Sequence, residues 1–212
     1  LLGGCKPDQV SIELYTSDLQ TAASGTELIE VPISVEFTLL GEDKDGLINK
    51  VVTASKKYLS PDSTFSQSKA TFGERLVVET KIPLGTREAL KKSSSARLLS
   101  LQIMSVPAPQ YTTVSFVDTG HFENFSNELS GINLMLDLDF PPKKTIIRLI
   151  SDSKDPIDSF AYAVFVAKKP YTTFQRTLNR RESAEIVFKG GEDSIWSEIR
   201  PYIGFRDTPK NP

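Results

Sequence analysis

IEVPISVEFTL, residues 29–39, decides the fold class. Val31, Ile33, Val35, Phe37 and Leu39 occupy every second position, and Glu30, Pro32, Ser34, Glu36 and Thr38 fall between them. Successive side chains of a strand point to opposite faces, so this spacing predicts a strand with one apolar and one polar face. Pro32 has no amide hydrogen for a ladder, which places the start of this strand at a sheet edge or a bulge.

The same alternation precedes it. Val10, Ile12 and Leu14 against Ser11 and Glu13 predict a strand over 10–15, and Ser17-Asp18 caps a short helix that runs through Ser24 and ends at Gly25. After Leu39 the period changes from two to three and four. Leu47, Val51 and Tyr58, with Ile48, Val52 and Leu59, predict an amphipathic helix, stopped by Ser60-Pro61 and carrying Lys50, Lys56 and Lys57 on its wet face. Thr64–Phe72 and Arg75–Ile82 then form an antiparallel pair turned at Gly73.

Between Pro83 and Ser95 the composition shifts to Gly85, a short helical turn over Thr86–Leu90, and Lys91-Lys92-Ser93-Ser94-Ser95. Such a polar segment has little to bury, so residues 85–95 read as a linker between subdomains 6–84 and 96–207, or as a long surface loop of a single domain. Residues 208–212 form a tail. In the second half, strands are expected over 96–106, 112–118, 132–140, 145–150, 160–167, 173–178 and 184–188. One helix is expected around Phe122, Phe125 and Leu129, and another from Asp193 or Ser194 with Ile195, Trp196 and Ile199 inward. Consecutive strands with short connections and one strong amphipathic helix predict an α+β fold: mostly antiparallel sheets with a few helices.

The 212 residues are 39% hydrophobic and 25% charged, enough for a sizeable core. A net charge of −2 supplies no basic field, so nucleic acid is not an expected partner. No apolar run approaches the roughly 20 residues that span a bilayer.

At the start, Leu2-Gly3-Gly4-Cys5 places an apolar residue three positions before the only cysteine, with small residues between. This stretch resembles the lipobox that closes a bacterial lipoprotein signal, whose charged and apolar regions would lie upstream of Leu1. The resemblance implies removal of Leu1–Gly4, acylation of Cys5 and membrane attachment through that lipid. On that resemblance, residues 1–5 are expected to be the end of a signal and its anchor. Lys6 after the cysteine, in place of an acidic residue, implies the outer membrane by similarity to enterobacterial lipoproteins, with the folded part facing the periplasm or the surface. A single cysteine leaves no disulfide within the monomer.

Residues that carry chemistry are few. In GEDKDG, Glu42, Asp43 and Asp45 resemble a calcium loop, but alignment of Gly46 with the loop's sixth position puts Gly41 at the first and Val52 at the twelfth, where acidic ligands are needed. Asp43 or Asp45 instead suits the positive end of the following helix. In INLMLDLDF, Asp137 and Asp139 stand two apart on an expected strand; they can share a cation, though their commoner role is to keep one sheet face wet. Ser66–Lys69 and Ser151–Lys154 match S-x-x-K by composition. With His121 the single histidine, hydrolytic triads and histidine metal sites lack their usual parts, and no cofactor is expected.

Asp118-Thr119-Gly120, after an alternating strand, is similar to the active-site loop of aspartic proteases, in which paired aspartates activate a water. Tyr202-Ile203-Gly204 resembles the apolar-apolar-glycine segment of the single-copy retroviral type. That family implies a small all-β dimer with Asp118 catalytic, and it places a small residue where this chain has His121. The expected function is non-enzymatic binding or assembly of another envelope protein, with a hydrolase using Asp118 as the alternative.

Overall fold

The computed structural model describes residues 9–24, 27–39, 44–71, 73–92, 99–107, 110–118, 122–132, 144–189 and 203–207. Within them the chain forms an α+β fold dominated by strands, in two mostly antiparallel sheets. The first sheet has the order β10 (Ser183–Lys189), β7 (Lys144–Ile150), β1 (Gln9–Tyr15), β2 (Ile29–Leu39), β4 (Glu74–Thr86), β3 (Thr64–Lys69). The second runs β5 (Leu99–Pro107), β6 (Gln110–Asp118), β11 (Ile203–Asp207), β8 (Ile157–Val166), β9 (Lys169–Leu178).

Strand β4 joins the two. On one side it pairs β2 over Glu74–Leu84; on the other its first residues, Glu74–Glu79, pair β3 and its last, Leu84–Thr86, pair Leu101–Ile103 of β5 in parallel. A bridge between Val187 of β10 and Phe165 of β8 joins them again at the far end. The segment read as a linker or loop, 85–95, therefore begins inside β4 and continues into helix α3 (Arg87–Lys92). Strands from the second half of the chain complete the sheet begun by the first: β7 pairs β1 in parallel over Val10–Tyr15, and β10 pairs β7.

Alternation aligns apolar rows across the ladder. Phe188, Thr145, Val10, Val35, Val78 and Phe65 are successive register partners across six strands, and Ile186, Ile147, Ile12, Ile33 and Thr80 form the next row. Except for Phe65, which is partly buried, these side chains are buried. Helix α1 (Thr16–Ser24) adds Leu19 and Ala22 to this core, α2 (Lys44–Tyr58) adds Leu47, Ile48, Val51 and Ala54, and α4 (Phe122–Ile132) adds Phe125 and Leu129. Tyr58 and Phe125 stack at a tilt with ring centres 5.4 Å apart, and Lys57 and Tyr58 both bond Glu128, so α2 and α4 are tied by an apolar contact with a polar clasp above it.

Pro32 is not at an edge, since β2 lies between β1 and β4. The β1 ladder runs from Gln9↔Glu36 to Ile12↔Ile33 and stops one residue short of Pro32, which meets the proline's lack of a donor without a bulge. Ile132, expected to open a strand, is the last residue of α4. The rest of that expected strand, residues 133–140, and the expected helix from Asp193 lie outside the described residues. Gly73, at φ 84°, turns β3 into β4 as expected.

Candidate functional site: a groove on the outer face of the first sheet

Among the described residues, α1 and α2 pack on the core face of the first sheet, and a groove lies on its outer face. The register rows of that face differ from those of the core. Val187, Ile146, Ser11, Ser34, Glu79 and Thr64 face one another in turn across six strands, and Glu185, Arg148 and Glu13 begin the adjacent row. The middle strands β1 and β2 present short side chains at Ser11, Ser34 and Pro32, with Glu13 and Glu30 farther along them, whereas the flanking strands present long ones: Arg148 and Glu185 on one side, Glu79 and Lys81 on the other. Short residues between long ones leave a groove of about 810 Å³.

The rim beyond β4 is built by the turn after α2. The Ser63 amide and hydroxyl both donate to the Ser60 carbonyl, at 3.1 and 2.6 Å, and the Asp62 amide donates to the Ser60 hydroxyl at 3.3 Å. These bonds hold Asp62 at the groove's edge. Five carboxylates line the groove, those of Glu13, Glu30, Asp62, Glu79 and Glu185, against the two cations of Lys81 and Arg148. Arg148 donates to Glu13 at 3.3 Å across the parallel β7–β1 pair, and Thr64 donates to Glu79 at 3.4 Å. Glu30 and Lys81 are also engaged.

A second polar cluster lies at the end of β1. Asp152, in the connection after β7, accepts from the Ser17 amide and the Thr16 hydroxyl, both at 2.9 Å, and from the Ser17 hydroxyl at 2.5 Å; its own amide donates to the Thr16 hydroxyl. A carboxylate 135 residues away in sequence thus caps the first turn of α1. Burial pushes the Asp152 carboxyl up, but the bonds from Ser17 and Thr16 outweigh it and hold the group below its ordinary value. Asp18 shifts the other way, raised first by burial and then by the charge of Asp152.

The candidates read from sequence do not converge on the groove. Asp45 is exposed in the first turn of α2, where it suits the helix's positive end. Asp118 is the last residue of β6, its backbone opposite Leu99; Thr119–His121, like Cys5, Asp43, Asp137 and Asp139, lie outside the described residues. Ser66 and Lys69 are both exposed on β3, and Ser151 is buried while Lys154 is exposed. Ile203 and Gly204 belong to β11, between β6 and β8. The groove residues carry only one sequence signal, the serines at outward positions of two neighbouring strands.

Comparison with known proteins gives no match: no family model, no curated protein and no solved structure matches the chain.

Proposed function

We propose that this protein is a lipid-anchored envelope lipoprotein, held in the outer membrane through Cys5, that binds another envelope protein in the groove of its first sheet. The groove carries the reading: a concavity of about 810 Å³ on the outer face of the first sheet has the size of a ligand site, within the roughly 300–1,000 Å³ common for such sites. Its lining of short hydroxyls beside paired and unpaired charges offers hydrogen-bond acceptors and donors at fixed register positions, which suits recognition of a polar surface. Acyl anchoring supports the same role, because tethering raises the effective concentration of two membrane-held partners.

Two measurements test it. The precursor and its Cys5→Ser variant are compared by detergent phase partition; the wild type enters the detergent phase and the variant the aqueous one, and identical partition refutes the anchor. A photo-cross-linking residue at Ser34, in the groove, gives a discrete adduct in envelope extracts that the same residue at Thr53, exposed on α2, does not. Equal labelling from both positions refutes the groove. Hydrolysis of unfolded protein that is lost in Asp118→Asn would replace this reading with the aspartic-protease one.

A further inference from the structure

We infer that the occupant of the groove is an extended, lysine- or arginine-bearing peptide segment of the partner. This deepens the reading of the groove as the partner-binding site and rests on it.

The groove carries a net charge of −3, whereas the whole chain carries −2, so the negative charge of the protein is concentrated here. Among the described residues, the groove carboxylates not matched in an ion pair stand at opposite ends of the groove: Asp62 and Glu79 at the β4 rim, and Glu185 on β10. All three are exposed. From Glu185 on β10 to Glu79 on β4 the groove crosses four strand spacings, about 19 Å at about 4.8 Å each. A ligand that answers both ends must bear separated positive charges on a long body.

A single metal ion does not meet that requirement, because among the described residues no three acidic, histidine or cysteine side chains converge closely enough to hold one. An extended chain does, since about six residues at about 3.3 Å each cover the same span. The floor fits a backbone as well: Ser11 and Ser34 offer hydroxyls, and half-buried Ile146 with Pro32 offers apolar contact to alternate side chains.

The test uses fluorescent ten-residue peptides that alternate Lys with Thr, Glu with Thr, or Val with Thr, titrated into the full-length protein and read by anisotropy. The Lys–Thr peptide binds most tightly, and its affinity falls as ionic strength rises from about 0.05 M to about 0.5 M. Hydrogen exchange shows protection in β1, β2 and β4. The triple variant Asp62→Asn, Glu79→Gln, Glu185→Gln binds it about tenfold more weakly, the equivalent of about 1.4 kcal/mol. A control with the same loss of charge at exposed sites elsewhere, Glu27→Gln, Asp45→Asn and Glu88→Gln, stays within about twofold of wild type. Equal weakening in both triple variants, or none in the first, overturns the inference. Tighter binding of the Val–Thr or Glu–Thr peptide with protection on the same strands overturns the charge requirement and leaves the groove as a binding site. Absence of binding and protection with all three peptides overturns both.

Discussion

The ring of Phe160 on β8 lies across Gly204, its register partner on β11, so closely that a Cβ at position 204 would stand 2.0 Å from the ring. Gly204 is therefore fixed as glycine by an aromatic neighbour and not by a turn. Gly204→Ala forces the ring or the strand to move and lowers stability by about 1–3 kcal/mol, the usual cost of overpacking. In a Phe160→Leu background the same substitution costs less, because the smaller side chain clears the new methyl group. Denaturant melts of the four proteins measure this coupling, and additive effects would contradict it.

That contact also shows what local pattern leaves hidden. Strand β11 has only five residues, with Gly204 second among them, too short to show an alternation of its own. It exists because β6 and β8 pair it from both sides. By contrast β1, β2, β4, β7 and β10 were legible, since a half-buried strand writes its alternation into the sequence, and α2 and α4 were legible from their three- and four-residue spacing. Strand β8 starts at Ile157, three residues before the expected Phe160, because the buried Asp158 within it accepts from Thr177 at 2.7 Å and from Arg206 at 3.2 Å; a carboxylate partnered across strands looks like loop when met alone. The groove was legible only as outward-facing serines on two separate strands. It depends on which serines become neighbours across β1 and β2, and nothing local selects that register or the parallel partner of β1.

Strands β8 and β9 are joined through Ala167 (φ 48°) and Lys168 (φ 65°), two non-glycine residues in left-handed conformations. Two-residue hairpins of this kind favour Asn-Gly, because asparagine tolerates positive φ and glycine has no Cβ to clash. Ala167→Asn with Lys168→Gly relieves that strain and stabilises the protein by about 1–2 kcal/mol. An unchanged or lowered denaturation midpoint would show that the turn is not under strain.

Thr80 closes the core row begun by Ile186, and its hydroxyl is buried without a hydrogen-bond partner. An unmatched buried hydroxyl costs about 1–3 kcal/mol in mutational data, whereas the isosteric methyl of valine costs nothing to desolvate. Thr80→Val therefore raises stability by about 1 kcal/mol or more. The Ser55 hydroxyl on α2 is in the same position, and Ser55→Ala gains less because it also leaves a small void. Loss of stability in Thr80→Val, read by thermal melts, would mean that the hydroxyl has a partner.

Asp152 and Asp18 give the fold a pH dependence with two opposite signs. The folded state holds the Asp152 carboxyl below its ordinary value, so the ionised group stabilises the fold above that value, and the contribution is lost as pH falls through the folded one. Asp152→Ala removes the cap of α1 and costs about 1 kcal/mol at neutral pH. The difference from wild type narrows as pH falls below about 4, where the unfolded carboxyl begins to protonate while the folded one is still ionised. Asp18 is raised, so the folded state binds its proton more readily than the unfolded chain does, and ionised Asp18 opposes folding at neutral pH. Asp18→Asn therefore stabilises the protein at pH 7, and this gain disappears as pH falls through the range between the folded and ordinary values. Because Asp152 is the second cause of the Asp18 shift, the gain from Asp18→Asn is smaller in an Asp152→Asn background. Urea melts between about pH 3 and pH 8 separate the two signs, and a gain from Asp18→Asn that persists unchanged at the acid end would show that it does not arise from ionisation.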